Sequence, residues 1–326
     1  MTSSTIYRGR FAPSPTGPLH FGSLVAAVGS YLEAKSQHGV WLVRMEDLDT
    51  PRCVSGAAAD ILATLAIFGM VSDEPVLLQS QRAAAYEIAL LQLQEIDAVY
   101  PCNCSRKAIA EVASLGIEGP IYPGTCRNNN LADSNRASSW RVKTNHLCRH
   151  SQADGNPAFR NGAEIIYFED RLQGLTQQDI EAEIGDFVVK RADGLFAYQL
   201  AVVVDDAFQG ITDVVRGCDL LTSTARQIAL QNLLNLPTPR YAHLPIAVNA
   251  VGEKLSKQTL ANPVDTTHPV STLWQVLSFL QQHPPLSLRQ QSLTDVWRWA
   301  LENWRIENLI GLRSLPAVAD KFANSR

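Results

Sequence analysis

No run in this 326-residue chain approaches the ~20 consecutive apolar residues that a membrane-spanning helix requires, so a helical membrane protein is excluded. The opening Met1-Thr-Ser-Ser-Thr-Ile-Tyr-Arg8 lacks the charged-then-apolar order of a secretory signal, and the expected location is the cytoplasm, with no membrane partner. Basic residues are not in excess: 28 Lys and Arg against 32 Asp and Glu give a net charge of −4. A nucleic acid would therefore have to be met by a local basic patch, not by a global field. Cysteine is too sparse for a disulfide framework, and six in a chain this long, two of them in Cys102-Asn103-Cys104, suit a metal site in a reducing compartment. Cys53 and Cys218 read as small buried apolar residues. Internal repeats, low-complexity tracts and lipidation motifs are also missing.

What is present is a globular composition, 46% hydrophobic and 18% charged, long enough for two or three structural units. Ile6–Phe11 reads as a short strand, followed by a turn-rich stretch to Leu19 and a helix from about Gly22-Ser23 to Ala34. Val40–Arg44 is a second strand and Val54–Phe68 a second helix, and this βαβα alternation predicts a parallel sheet with right-handed crossovers. A third helix, Arg82–Ile96, precedes a change of texture from Cys102 to about Gly162, rich in Asn, Gly, Pro, Cys and Ser, which reads as an inserted module. Asp193-Gly194 between apolar runs signals a hairpin. Leu200–Val204 then reads as a buried strand and Thr222–Leu234 as a helix. Val270–Leu312 is helical in pattern, with Leu293, Val296, Trp297, Ala300, Leu301 and Trp304 forming a core face. The expected division is 1–99 and 186–240 for the two halves of the sheet domain, 100–185 for the insertion and 241–326 for a loop and helical tail.

Chemistry concentrates in Arg10-Phe-Ala-Pro-Ser-Pro-Thr-Gly-Pro-Leu-His20-Phe-Gly22-Ser23. Prolines stiffen the loop, Gly22 lets a ligand approach the backbone, and the helix that begins there points unpaired N–H groups at any phosphate. His20 is placed to donate to a phosphoryl oxygen. The bland alternative is a proline-rich turn with a helix cap at Ser23. A second signal lies far along the chain, Glu253-Lys254-Leu255-Ser256-Lys257 after Gly252. By itself it is a solvated charge pair; paired with the first string it gains meaning.

Together these strings resemble the ATP-binding signatures of class I aminoacyl-tRNA synthetases of the glutamyl and glutaminyl branch. Further matching segments are Leu42–Arg52, Phe196–Ala201, Val204–Asp206 and Val215–Leu221, so the resemblance covers residues 8 to about 260. It implies an α/β fold with a doubly wound, Rossmann-type parallel sheet, an inserted zinc-bearing module and a short helical C-terminal region. It also implies ATP with Mg²⁺, the ion being held mainly by phosphates and water. His20, Lys254 and Lys257 would be catalytic, with Gly22 and Ser23 joining His20 and Lys257 around ATP. L-Glutamate would sit among Arg10, Phe11, Ala12, Pro13, Ser14, Glu46, Tyr198 and Arg216. In this scheme Arg10 and Arg216 hold the side-chain carboxylate, Glu46 the ammonium group, and Ser14 and the backbone near Ala12 the α-carboxylate. For an isolated pair, Glu46 with Arg44 is a surface ion pair and Arg216 a structural arginine. As a pocket arginine Arg216 would be unpaired before substrate binds, and its loss would cost little stability.

Cys102-x-Cys104 and Cys126 supply three thiols, and a tetrahedral zinc site takes four ligands. The resemblance implies Tyr122 as the fourth, with a structural role for the zinc, and Cys148 and His150 compete for the position. Only 69 residues follow Lys257, too few for an independent anticodon-binding domain of the usual ~100–150 residues. That shortness matches the glutamyl-queuosine branch of the family, which implies transfer of glutamate to queuosine in the anticodon loop of tRNA(Asp). Arg8, Arg52, Lys107 and Arg127 are then candidates for RNA contact. A minimal synthetase charging a tRNA 3′ end and a non-catalytic RNA-binding derivative are the alternatives. A monomer is the default expectation.

Overall fold

The computed structural model describes residues 6–128, 137–145, 165–249, 252, 254 and 262–317. Lys257, Cys148 and His150 lie outside them. The first half runs β1 (Arg8–Phe11), α1 (Phe21–Ser36), β2 (Val40–Met45), α2 (Ala57–Ile67), β3 (Leu77–Leu78) and α3 (Ala83–Glu95). β1, β2 and β3 are parallel neighbours, with Arg10 opposite Leu42 and Arg44 opposite Leu77. β2 is buried along almost its whole length, as expected for a parallel strand covered on both faces.

The insertion supplies β4 (Val99–Cys102), α4 (Arg106–Val112), the hairpin β5 (Leu115–Gly116) and β6 (Gly119–Pro120), and β7 (Ser139–Val142). Then follow β8 (Ile165–Asp170), β9 (Gly174–Asp179), α5 (Ile180–Glu183) and β10 (Val188–Lys190). β4, β7 and β10 make a separate antiparallel sheet in the order β10-β7-β4. Residues 186–198 turn back where expected: Gly194 takes φ +89°, and Lys190 bridges to Phe196.

α6 spans Tyr198–Phe208, so the expected strand at Leu200–Val204 is helical. A short apolar run fits a buried helix as well as a strand, and here tertiary pairing decides. Asp205 and Asp206, at its C-terminal end, are both buried and bound to arginines on other elements. The second half continues with β11 (Asp213–Gly217), α7 (Thr224–Leu233), β12 (Arg240–Leu244) and β13 (Ile246–Val248). β11 and β12 are parallel, and β8 and β9 extend that sheet. The Thr212 N–H donates to the Arg8 carbonyl at 3.0 Å, which ties β11 to the edge of β1. The combined strand order β3-β2-β1-β11-β12 reverses direction of growth between β1 and β11. Ligands of such sheets bind at this switch point, outside the carboxyl ends of the strands.

α8 (Pro269–Phe279) and α9 (Leu293–Asn303) close the chain with β14 (Ser314–Pro316), which pairs with β13. Val296, Trp297, Ala300 and Trp304 are buried in one core with Leu24, Val28, Leu32 and Trp41, so the C-terminal apolar face is core. α1 approaches β12 closely enough that a Cβ on Gly29 would meet Leu244 Cδ1 at 2.6 Å. Among the described residues no helix is long and apolar enough to cross a membrane.

Candidate active site

The loop after β1 is pinned to the chain following β2: the Glu46 N–H donates to the Pro13 carbonyl and the Val54 N–H to that of Pro15, each at 2.9 Å. These bonds bring Glu46 beside residues 11–14, of which Phe11 and Pro13 are buried, Ala12 is half-buried and Ser14 exposed. The loop then enters α1 at Phe21, one residue before the expected start, with His20 and not Ser23 as the cap. Its Nδ1 accepts the Ser23 N–H at 3.2 Å, which puts the proton of the neutral ring on Nε2, 3.0 Å from Ser23 Oγ. Ser23 is thus inside the helix and fixes the histidine; Gly22 lies between them in the first turn.

Two buried arginines share one carboxylate at the floor of this site. Arg10 grips Asp206 through Nε and Nη2 at 3.0 and 3.2 Å, and Arg44 reaches the same group at 2.7 Å. Burial alone would raise the Asp206 carboxyl, but the two guanidiniums outweigh it and hold it below the usual carboxylate range. Arg44 also donates to Glu46 at 3.3 Å. For Glu46 burial prevails over Arg44 and Arg10, and its carboxyl is pushed up. Arg44 and Glu46 therefore form a buried pair, not a surface one.

Arg216, near the carboxyl end of β11, is buried and held on four sides. Nε donates to His243 Nε2 at 3.0 Å, Nη1 to Tyr198 Oη at 3.3 Å, and Nη2 to Thr224 Oγ1 at 2.9 Å and the Leu220 carbonyl at 3.3 Å. The expectation that it stands unpaired fails, because β12 and α7 provide acceptors that no sequence spacing announces. Tyr198 joins the two halves of the site. Its hydroxyl is raised by burial and feels the charges of Arg216, Glu46 and Arg10 together. His243, Asp170 and Thr224 were not recognised as site residues from sequence; a single polar residue in an apolar strand such as Arg240–Leu244 reads as core.

Beyond this pocket, Lys254 Nζ lies 2.5 Å from Asp219 Oδ2, which links the lysine loop to the segment just after Arg216. The cysteine cluster stands apart, in the insertion. The Cys102, Cys104 and Cys126 sulfurs lie within 4.8 Å of one another. Tyr122 Oη is 3.2 Å from Cys102 Sγ and 3.5 Å from Cys104 Sγ, so three thiols and one phenol converge. Cys53 and Cys218 are half-buried rather than buried. Of the basic residues expected to meet RNA, Arg52 and Lys107 are exposed, whereas Arg127 is bound to Asp186 at 2.7 Å. Arg8 starts β1, at the opposite end of the sheet from the site, and pairs with Glu74.

A parallel sheet with its polar cluster at the switch point, beside a histidine-capped helix, defines a nucleotide-dependent α/β enzyme fold of the class I synthetase type. Residues 7–273 match the family described as tRNA synthetases class I (E and Q), catalytic domain, and the chain belongs to that family. Among its curated relatives, the Glutamyl-Q tRNA(Asp) synthetase of Aromatoleum aromaticum is 52% identical over 320 residues, covering 98% of this chain and 95% of that one. The protein of the same name from Dechloromonas aromatica is 54% identical over 303 residues, 92% and 95% of the two chains. The crystal structure of a glutamate-tRNA synthetase from Elizabethkingia anophelis superposes with a TM-score of 0.75 at 22% identity, covering 97% of this chain and 69% of that one, and shows the shared fold.

Proposed function

We propose that this protein is a ligase that uses ATP to activate L-glutamate as glutamyl-adenylate, without tRNA, and transfers the glutamate to the queuosine base at the wobble position of tRNA(Asp). The observation that supports the reading is that Arg216 donates to Tyr198 Oη at 3.3 Å while the charges of Arg216, Glu46 and Arg10 all act on that buried hydroxyl. Arg216 and Arg10 suit the side-chain carboxylate and Glu46 the ammonium group. Phe11, Ala12, Pro13 and Ser14 border the α-carboxylate.

The pocket needs no base, since the α-carboxylate is ionised at neutral pH and is itself the nucleophile. Its oxygen bonds to the α-phosphorus as the bond to pyrophosphate breaks, and positioning with charge stabilisation is what the protein must supply. His20, held by Ser23 with Gly22 between them, caps α1, whose N-terminal N–H groups suit phosphoryl oxygens, and its Nε2–H would reach one on leaving Ser23 Oγ. Lys254, on leaving Asp219, and Lys257 neutralise the departing pyrophosphate; loss of such a donor costs about 10² to 10³ in rate. Mg²⁺, when bound with ATP, supplies further phosphate neutralisation. In the second step a hydroxyl of the queuosine cyclopentenediol attacks the acyl carbon and AMP leaves.

For the insertion, Cys102, Cys104, Cys126 and Tyr122 suit one structural zinc: three thiolates and a phenolate are a tetrahedral donor set, and the sulfur spacing is that of ligands sharing one ion. Zinc at one equivalent that survives Cys102→Ala would count against it.

The decisive experiment gives the enzyme labelled glutamate, ATP and a queuosine-bearing tRNA(Asp) anticodon stem-loop without an acceptor 3′ end. Label on the stem-loop, absent when guanosine replaces queuosine, is the expected result. Transfer only to full-length tRNA(Glu) would make the protein a minimal 3′-end synthetase, and absence of glutamate-dependent ATP–pyrophosphate exchange would remove the adenylate step itself.

A further inference from the structure

Arg216 does not orient itself. Its Cα partner across the β11–β12 ladder is His243, and one strand further Asp170 of β8 pairs with Tyr241, two residues before His243, so three adjacent strands bring Arg216, His243 and Asp170 within side-chain reach. His243 and Asp170 are both fully buried. His243 Nδ1 is 2.6 Å from Asp170 Oδ2, and His243 Nε2 is 3.0 Å from Arg216 Nε. A carboxylate only accepts and a guanidinium N–H only donates, so the contacts on the two sides of the ring agree on one state: proton on Nδ1, lone pair on Nε2. Asp170 is itself fixed, its Oδ1 accepting the N–H groups of Leu172, Gln173 and His243 at 3.0, 2.9 and 3.2 Å. Burial pushes the His243 ring towards its neutral form and Arg216 adds to this against Asp170, while hydrogen bonds from His243 and the backbone hold the Asp170 carboxyl down despite burial.

The geometry of the guanidinium shows what the relay does. With Nε taken by His243 and Nη2 by Thr224 and the Leu220 carbonyl, the Nη1 edge faces Tyr198 and keeps one N–H without a protein partner among the described residues. We propose that Asp170 and His243 are positioning residues for glutamate selection: Asp170 fixes the tautomer in which His243 accepts from Arg216, and this aims the Nη1 edge of Arg216 at the substrate carboxylate. The inference rests on the glutamate-activating reading given above. The opposite tautomer would set an N–H of His243 against the N–H of Arg216, and the arginine would have to turn away.

The test uses His243→Asn and His243→Gln in glutamate-dependent ATP–pyrophosphate exchange. The asparagine amide still donates to Asp170 but is too short to reach Arg216; the glutamine oxygen reaches the position of Nε2. Expected is a glutamate KM raised on the order of ten- to a hundred-fold in His243→Asn, with the ATP KM unchanged, and substantial recovery in His243→Gln. A purely structural role would lower the active fraction, and so kcat, without moving the glutamate KM. A wild-type glutamate KM in folded His243→Asn, or a His243→Gln no better than it, would overturn the proposal. Should neither variant fold, ¹⁵N NMR of the histidines in the wild-type protein decides: His243 protonated on Nδ1 alone is expected, and protonation on Nε2 contradicts the relay. Wild-type protein without any glutamate-dependent exchange would instead refute the functional reading, leaving the tautomer measurement to judge the relay.

Discussion

Asp206 is the carboxylate that the buried Arg10 and Arg44 share. Asp206→Asn keeps the shape but removes the charge, and leaving buried arginines uncompensated costs about 3–5 kcal/mol, which denaturant unfolding would measure. Its folded pKa is depressed, so its contribution is present above the unfolded value of about 3.9 and is lost as pH falls through the lower folded one. The acid limb of the wild-type stability curve should therefore flatten in the variant. Glu46 has the opposite sign. Burial raises its carboxyl, so the proton is held more tightly than on an ordinary glutamate, and an ammonium group can only be taken once it leaves. Glutamate KM should rise as pH drops through that raised value, and Glu46→Gln, with a KM already high, should lose this dependence. An identical KM–pH profile in the variant would take Glu46 out of ammonium recognition. Arg10, Glu46 and Arg216 were legible in the sequence because they fall in strings that resemble a known signature. The roles of their partners were not: Asp206 falls in a matching segment but nothing in the string gives it Arg10 and Arg44 as partners, and His243 and Asp170 come to Arg216 only through strand order.

At the level of elements, the alternation of strands and helices was readable because apolar periodicity and loop chemistry agree, as in α1, β2, α3 and α7. α6 was not, since Val202, Val203 and Val204 favour a strand locally, while the helix buries Leu200–Val203 in the core and Asp205 and Asp206 against arginines. The cysteine-bearing insertion was readable from composition alone. Its fold was not, because Cys102 and Cys126 come together across a short helix and a hairpin of two-residue strands that no apolar periodicity announces. Arg127, bound to Asp186 of the loop before β10, ties this region to the rest, and Tyr100 donates to the same carboxylate. The cysteine cluster and the Asp186 contacts both brace the insertion, as does Glu118, which Thr222 and Arg226 hold. Chelation should speed amide hydrogen exchange across residues 102–126 while exchange of pyrophosphate into ATP continues. Loss of that activity in step with the metal would mean that the cluster supports the adenylate site directly.

On the scale of the whole molecule, the C-terminal helices are part of the catalytic core. The Trp304 indole donates to Glu33 of α1 at 2.7 Å, Arg171 from the β8–β9 turn holds the other oxygen of the same buried carboxylate at 2.8 Å, and the Trp297 indole donates to the Phe68 carbonyl at 2.7 Å. Without Trp304, the Glu33 carboxylate would keep Arg171 as its only partner among the described residues. Without α8 and α9, Phe21 and Tyr31 of α1 would lose their edge contacts with Phe279 and Trp297, and the core they share with Leu273, Val276 and Val296 would open to water. Burial of each large apolar side chain is worth about 1.5–3 kcal/mol, and a domain's net stability is only about 5–15 kcal/mol. A fragment ending at residue 264 exposes several such side chains at once, so its loss of packing exceeds what the remaining fold can withstand. It is expected to lack the near-ultraviolet circular dichroism of the full chain and to show no cooperative melt. The full chain should melt in one transition seen alike by tryptophan fluorescence and by loss of exchange activity. A fragment that melts cooperatively on its own would show that α8 and α9 form a separate unit laid on a self-sufficient sheet.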